Sequence, residues 1–487
     1  MGELWLFLSD WWVVIDWGTA ILAMLSVPSV LVQRRGRPMA AVSWILALVT
    51  LPILGLLLWW LIGRNHLGRR RQRKKKAHET LAVRLEKVRN KLTDELAPGV
   101  LQQGEGKELL PLAHIPLEFL GSVFPPCSGN EVVLVDAHEA FDIMERDVRA
   151  AKHHIHALFY IWKDDDTGRS FRDALIEKAK EGVEVRVLTD AIGSPAFATR
   201  FVRPLRKAGA RVERFLPPRL LSATPRLNFR NHRKILVIDG DIGVMGGFNI
   251  ADEYRLKWHD MGVRITGPAV NQLQEIFADD WFFASGEDLA DVDYFGHERG
   301  SRERATATVG AIASGPDTKG SPIEDAIFIA INQTQRRVYL MTPYLIPPRG
   351  IMAALRAAVY RGVDVRLLVP AHSDVPLVRW ASRSYYPELL ASGVRIFEYQ
   401  PSMLHAKAAV FDDDLSLIGS ANIDNRSFRL NFESSAFIRD PALNQALSHV
   451  FEDDLERSEE IDQSRFSQRP WGAKVIDATA HLLSPLL

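Results

Sequence analysis

Two segments of the sequence carry a histidine, a lysine and an aspartate at one spacing, His-x-Lys-x-x-x-x-Asp. The residues are His232, Lys234, Asp239, His405, Lys407 and Asp412. In both segments the histidine and the lysine alternate with other residues, which places the two side chains on one face of a strand. Histidine can act as nucleophile, acid or base, and lysine supplies fixed positive charge. We therefore predict one phosphodiester-cleaving site assembled from the two copies.

Further residues match at fixed distances from the two histidines. They are the asparagines Asn249 and Asn422, and the carboxylates Asp260 and Glu433, which lie 28 residues after His232 and His405. Two lysines and two asparagines that converge on the non-bridging oxygens would bind a phosphodiester without a metal. A carboxylate bonded to the far ring nitrogen would hold each imidazole in one tautomer and stabilise its cation.

These groups predict a two-step reaction. One histidine attacks phosphorus and forms a phosphohistidine, while the other protonates the departing alkoxide and later deprotonates the incoming hydroxyl. The sequence has no carboxylate cluster or His-x-x-x-His pair that indicates a metal site, so we predict neither a metal nor another cofactor.

The two copies belong to a longer internal repeat. The segment KEGVEVRVL at 180–188 returns as YRGVDVRLL at 360–368, and both lie among alternating strand and helix patterns. This pattern predicts an α/β fold of two pseudo-symmetric halves, 108–295 and 296–460, each a mixed β-sheet flanked by helices. We expect the halves to pack face to face.

Two apolar stretches near the N-terminus, Trp11–Val32 and Met39–Ile62, are each long enough to cross a bilayer. A signal peptide would carry basic residues ahead of the apolar run, where this chain has Glu3 and Asp10. We therefore predict a transmembrane helical hairpin over residues 1–66.

The net charge of zero hides an uneven distribution. Three arginines lie in the predicted hairpin turn, and eight basic residues lie between Arg64 and Lys76, largely within a predicted basic linker at 67–107. Without these eleven residues the chain has 49 basic residues against 60 acidic ones, which disfavours nucleic acid as a partner. The larger cluster predicts that the catalytic body lies on the cytoplasmic side, next to anionic headgroups.

The motifs resemble those of the phospholipase D superfamily, and most closely those of bacterial cardiolipin synthases with an N-terminal membrane hairpin. The resemblance covers nearly the whole chain and includes FYIWKDDDTGRSF, RNHRKILVIDG, GGFNIADEY, HAKAAVFDD and GSANIDNRSFRLNFE. It implies that all six motif residues are catalytic and that Ser420 joins the asparagines in binding phosphate. Gly247 stands where the second motif has this serine.

The resemblance also implies a reaction and a location. A phosphatidyl group would pass from one phosphatidylglycerol to the terminal hydroxyl of another, giving cardiolipin and glycerol at the bacterial inner membrane. By analogy His232 would be the nucleophile and His405 the general acid. Both phospholipids and the lipid bilayer would then be partners.

Three other interpretations remain open. The same residues would serve a hydrolytic phospholipase D, in which water is the second acceptor. An endonuclease of the superfamily is disfavoured by the acidic body, and a non-enzymatic membrane scaffold is disfavoured by the complete duplicated motif.

Two segments are candidates for lipid contact, and each has an ordinary structural alternative. The tail at 461–487 contains apolar residues spaced for an amphipathic helix from Trp471 onward, and the loop at 215–229 is apolar and rich in proline. Cys127, the only cysteine, is interpreted as a packing residue. The oligomeric state is left open.

Overall fold

The computed structural model describes residues 2–35, 38–63, 81–88, 123–217, 229–296, 305–318 and 320–484. The chain divides into two compact units, Met1–Arg73 with Arg219–Leu227, and Lys74–Pro218 with Asn228–Leu487. The basic cluster from Arg64 to Lys76 and most of the 215–229 loop lie outside the described residues.

The described part of the first unit contains helices α1 (Gly2–Gln33), α2 (Pro38–Thr50) and α3 (Pro52–Leu58), followed by a π-helical turn at Trp59–Gly63. The predicted second span is interrupted at Leu51, because Pro52 lacks an amide hydrogen and disfavours helical backbone at the preceding residue. A small cluster of buried side chains, including Val30, Leu48 and Trp59, joins the helices. No helix in the described ranges is both long and apolar enough to cross a membrane, so the spanning hairpin stays a prediction.

The second unit is built on a large mixed β-sheet. Its strands are β1 (Cys127–Asp136), β2 (His154–Phe159), β3 (Glu184–Asp190), β4 (Arg211–Phe215), β5 (Arg230–Asn231), β6 (Ile235–Ile238), β7 (Ile242–Gly246), β8 (Met261–Thr266), β9 (Ala307–Ser314), β10 (Arg337–Met341), β11 (Asp364–Pro370), β12 (Arg395–Tyr399), β13 (Ala408–Phe411), β14 (Leu415–Gly419), β15 (Asn431–Arg439) and β16 (Ser458–Glu460). The strand order is 16-12-11-10-13-14-15-9-1-8-7-6-2-3-4, with β5 paired to β15.

This order is nearly the same when read outward from the middle in either direction, which confirms two pseudo-symmetric halves. The halves meet edge to edge, where β1 and β9 pair antiparallel. The expectation that they pack face to face is therefore wrong, because backbone hydrogen bonds carry one continuous sheet across the boundary.

Helices cover both faces of the sheet. They are α4 (Ala137–Ala150), α5 (Asp166–Lys180), α6 (Arg203–Lys207), α7 (Asp252–Leu256), α8 (Ala269–Ser285), α9 (Pro322–Gln333), α10 (Arg349–Tyr360), α11 (Pro376–Arg383), α12 (Tyr386–Ala391), α13 (Asn425–Arg429), α14 (Pro441–Glu456), α15 (Gln463–Ser467) and α16 (Trp471–His481). The central strands β6 and β13 are buried on both faces, which explains their unbroken apolar sequences. Each follows a motif histidine and holds that part of the chain rigidly.

Candidate active site

The two motif histidines lie at the boundary between the two halves, which we call the seam. The His232 amide donates to the Phe432 carbonyl at 2.8 Å, and the His405 amide donates to the His259 carbonyl at 2.7 Å. Each histidine of one half is thus bound to the backbone of the other half. The structure therefore brings both motif copies into one site.

The predicted carboxylates contact the histidines, and they do so across the seam. His232 Nδ1 lies 3.0 Å from Glu433, and His405 Nδ1 lies 2.5 Å from Asp260 Oδ2. Both carboxylates are completely buried. Because Nδ1 of each ring is engaged, Nε2 is the nitrogen left to face a substrate. Each carboxylate lies 28 residues after the histidine of its own half, and this spacing identified it in the sequence. In the structure each carboxylate contacts the histidine of the other half.

The surroundings of the two carboxylates differ. Ser420 Oγ donates to Glu433 at 2.5 Å, and Asn431 Nδ2 donates to the other oxygen of Glu433 at 3.1 Å. Ser420 was predicted to bind substrate phosphate, but its hydroxyl is committed to this carboxylate. At the equivalent position a side chain on Gly247 would place its Cβ 2.2 Å from Asp260 Oδ1. Glycine is needed there because the Asp260 carboxylate fills the space.

Both motif lysines are buried next to their histidines. Lys234 Nζ donates to the His232 carbonyl at 2.6 Å, and Lys407 Nζ lies 2.8 and 3.1 Å from the two ring nitrogens of His405. Burial lowers the pKa of Lys234 to about 7 and that of Lys407 to about 8. A bound phosphate would restore their charge, because an adjacent anion favours the protonated amine.

Burial also shifts the pKa values of the histidines and carboxylates. It lowers the pKa of His232 to about 4, although Glu433 opposes the shift. Burial would raise the pKa of Glu433, but the charge of His232 and its hydrogen bond hold that pKa below its usual range. Burial raises the pKa of Asp260 to about 7, and burial together with Lys407 lowers the pKa of His405 well below its usual range. Glu433 is therefore ionised at neutral pH, whereas Asp260 holds a proton part of the time.

The two predicted asparagines differ in what they offer a substrate. Asn249 Oδ1 accepts from the Ile161 amide at 2.9 Å, which leaves its buried Nδ2 without an acceptor. Asn422 Nδ2 donates to Asp424 at 3.1 Å. Asn249 thus presents an available donor, and Asn422 Nδ2 has a second hydrogen for a phosphate while the first is donated to Asp424.

Asp239 and Asp412, predicted to be catalytic, do not lie with the histidines. Each comes seven residues after its histidine, which is roughly 20 Å of extended chain away. Both have positive φ angles, 55° and 50°, at the turn that ends the strand. The carboxylate of Asp239 accepts hydrogen bonds from the amides of residues 152–154, and that of Asp412 from the amides of residues 335–337. These contacts fix the ends of β6 and β13 to neighbouring backbone.

Aromatic residues that the sequence reasoning missed line the site. The ring of Tyr160 lies 4.8 Å from the His232 ring, and Tyr254 and Trp258 each lie 5.2 Å from the His405 ring. Their positions in the FYIW segment and shortly before Asp260 were the available signals. Within the described residues no group of three or more histidine, cysteine or acidic side chains is placed to hold a metal ion.

Comparison with known proteins agrees with this geometry. The family model described as cardiolipin synthase, PLD-like domain, matches residues 144–281 and 327–455, and the one described as phospholipase D-nuclease N-terminal matches residues 20–64. The chain is 37% identical to a cardiolipin synthase from Geobacillus thermodenitrificans over 97% of this chain and 95% of the relative. It is 35% identical to the major cardiolipin synthase of Bacillus subtilis over 96% of this chain and 98% of that relative.

A solved structure shares the fold. The phosphatidylserine synthase of Haemophilus influenzae superposes with a TM-score of 0.57 and 16% identity, covering 76% of this chain and 98% of that protein. This likeness concerns the fold alone, whereas the family assignment rests on the matched sequence. The chain belongs to the cardiolipin synthase family of phospholipase D-like proteins.

Proposed function

We propose that this cardiolipin synthase transfers a phosphatidyl group from one phosphatidylglycerol to the terminal hydroxyl of another through a phosphohistidine. The observation that carries the proposal is the pair of buried histidine–carboxylate contacts formed across the seam, with a lysine beside each histidine. Two imidazoles whose Nε2 atoms are not bound by the carboxylates, together with two buried amines, suit in-line displacement at a phosphodiester.

In the first step His232 is the nucleophile. Its Nδ1 hydrogen is donated to the ionised Glu433, so Nε2 carries the lone pair that forms the bond to phosphorus. The bond from phosphorus to the glycerol headgroup breaks as this bond forms. Lys234 and Lys407 balance the negative charge on the non-bridging oxygens.

His405 supplies the proton for the departing glycerol. When Asp260 is protonated it donates to Nδ1 of His405, so Nε2 of this ring carries a hydrogen. Transfer of that hydrogen to the alkoxide leaves Nε2 free once the Asp260 proton has moved to Nδ1. The contrast between an ionised Glu433 and a protonatable Asp260 supports His232 as nucleophile and His405 as acid.

In the second step the terminal hydroxyl of another phosphatidylglycerol gives its proton to His405 Nε2 and attacks phosphorus. The phosphorus–nitrogen bond breaks, cardiolipin is released and His232 is regenerated. Each step is reversible because the bond broken and the bond formed are both phosphodiester or phosphoramidate bonds in the same site.

The first unit would anchor the enzyme in the bacterial inner membrane as a two-helix hairpin, with the catalytic body on the cytoplasmic side. Large apolar side chains in its described part are exposed, among them Met24, Leu25, Val32 and Val49. A contiguous apolar surface of this kind is typical of segments covered by lipid or protein.

The test is the product formed by purified enzyme from phosphatidylglycerol in detergent. Transfer predicts cardiolipin and glycerol in equal amounts, whereas phosphatidic acid as the dominant product would mean hydrolysis and refute transfer. Rapid quenching followed by mass spectrometry should find a phosphatidyl group on His232, and His405→Ala should form little of this species from phosphatidylglycerol because the departing glycerol then lacks its acid. Phosphate found on His405 would reverse the assignment of roles.

A further inference from the structure

The C-terminal helix α16 packs on the second half with only one narrow face. Ala480 is buried against Val378 of α11, and the Ser484 carbonyl accepts from Asn425 Nδ2 at 3.4 Å. Asn425 begins α13, three residues after Asn422. The described part of the tail therefore touches the segment that carries an active-site asparagine.

The opposite face of α16 is apolar and exposed. Trp471 is 79% exposed and Leu482 is 76% exposed. We name the tail face as the exposed apolar side chains of α16 and of its neighbours: Trp471, Val475 and Ile476 in α16, Leu482 and Leu483 just after it, Val375 just before α11 and Trp380 within α11. An apolar cluster of this size on the outside of an α/β body indicates a binding surface.

The tail face lies at the active-site edge of the sheet. Helix α11 follows the carboxyl end of β11, and the end of β10 at Met341 pairs with the start of β13 at Ala408. His405 comes just before β13. The tail face and the catalytic histidine are thus at the same end of the same strands.

The charge on α16 favours an anionic partner. Lys474 is exposed, whereas the one acidic side chain of the helix, Asp477, is buried and paired with Arg469 at 2.8 Å. An exposed lysine among tryptophan, isoleucine and leucine is the composition of helices that lie in the surface of an anionic bilayer.

We propose that the tail face docks on the surface of an anionic phospholipid bilayer and holds the active-site edge of the sheet at the headgroup layer. The proposal rests on the proposed function, because only a lipid substrate makes this placement useful. It adds a peripheral membrane contact, formed by the catalytic body itself, to the anchor formed by the first unit. A second copy of the chain is the other partner that an apolar face could meet, and the experiments below separate the two.

The first experiment measures immersion directly. Cys127 is the only cysteine and is buried, so Ile476→Cys in the full chain offers a single accessible site for a fluorophore. The labelled protein, carrying His232→Ala so that lipid is not consumed, is reconstituted in vesicles of phosphatidylglycerol and phosphatidylcholine with a spin-labelled lipid. Tyr360→Cys is the matched control, because Tyr360 is 76% exposed and lies just before β11, at the other edge of the sheet.

The tail face predicts quenching at position 476 and little at position 360. Equal quenching at both positions would overturn the proposal. This measurement needs no turnover, so it tests docking even if the enzyme proves to make a different product.

The second experiment links docking to catalysis in the double variant Trp471→Glu with Ile476→Glu. Cardiolipin formation from vesicles should fall by roughly tenfold or more, because two apolar anchors are lost, while formation from detergent micelles stays within about twofold. Tyr360→Glu should change neither rate. Equal loss in vesicles and micelles, or a change in oligomeric state on gel filtration, would overturn the proposal and assign the face to folding or to a second copy. Absence of cardiolipin in both assays with the wild-type enzyme would instead contradict the proposed function.

Discussion

Exchange of Glu433 for glutamine tests whether each histidine depends on the carboxylate of the other half. Glu433 belongs to the second half, 28 residues after His405, yet it contacts His232 of the first half at 3.0 Å. Glutamine preserves the shape of the side chain and removes its charge. If the contact across the seam governs catalysis, Glu433→Gln should behave like a defect in His232.

The size of the effect follows from the contact that is lost. A hydrogen bond to a charged group contributes about 1.5–3 kcal/mol, which corresponds to a rate loss of roughly 10- to 150-fold in the step that uses His232. A wrong tautomer would increase the loss towards roughly 10⁴-fold, the value known for a triad aspartate changed to asparagine. Asp260→Asn should instead impair protonation of the leaving group, a contribution of about 10²- to 10⁴-fold.

A synthetic phosphodiester with a p-nitrophenol leaving group separates the two defects. Nitrophenolate departs without protonation, so its burst reports formation of the phosphoenzyme by the nucleophile alone. Asp260→Asn and His405→Ala should retain this burst while losing turnover of phosphatidylglycerol. Glu433→Gln and His232→Ala should lose both.

The reasoning would be refuted by the opposite pattern, in which Glu433→Gln keeps the burst and Asp260→Asn loses it. Ser420→Ala is the graded control, because it removes a single neutral donor from Glu433. We expect it to slow the burst by about fivefold, in line with about 1 kcal/mol for one hydrogen bond.

Other changes address neighbouring features. Gly247→Ala should lower activity at least tenfold, since the new Cβ meets the Asp260 carboxylate, whereas Gly472→Ala, which meets no atom within 4 Å, should leave activity and melting temperature unchanged. Asp239→Asn should lower the free energy of unfolding by about 1–3 kcal/mol in urea titration, because it disturbs three amide contacts, with activity per folded molecule preserved. The pH profile of kcat/KM should fall below about 4, where His232 becomes protonated, and above about 7, where Asp260 loses the proton needed for acid catalysis and Lys234 loses its positive charge. In Asp260→Asn the alkaline limb should depend on the lysine alone, and a limb with the position and steepness of the wild type would contradict the role of Asp260.

The sequence predicted most of the site because its residues recur in register. His232, His405 and their carboxylates were identified because a second copy in register makes a chance match improbable. The alternation of side chains along a strand predicted that each lysine lies on the face of its histidine, and in the structure each lysine contacts its histidine. Asp239 and Asp412 recur equally well, yet they bind backbone amides at the other end of their strands. A residue that is repeated in both motif copies is needed for some purpose, but the repetition does not show whether it takes part in the reaction or stabilises the fold.

The arrangement of the two halves could not be predicted from the sequence patterns, for a different reason. Strand and helix periodicity describes what each segment buries, and β1 and β9 have apolar patterns compatible with several neighbours. Their pairing is decided by backbone hydrogen bonds that any residue can make. The pairing of Glu433 with His232 follows from that seam, so it could be obtained only once the halves were placed.

The continuous sheet restricts how lipid reaches and leaves the catalytic centre. Many two-lobed enzymes open by rotating one lobe about a hinge, but here such a rotation would break the ladder between β1 and β9 and pull each carboxylate from its histidine. The lipids differ in size, from a two-chained donor to a four-chained product, and both must then enter and leave the site without rotation of one half against the other. Admission and release are left to the loops and helices at the carboxyl ends of the strands, so the residence time of cardiolipin should depend on that rim and hardly at all on any motion between the two halves.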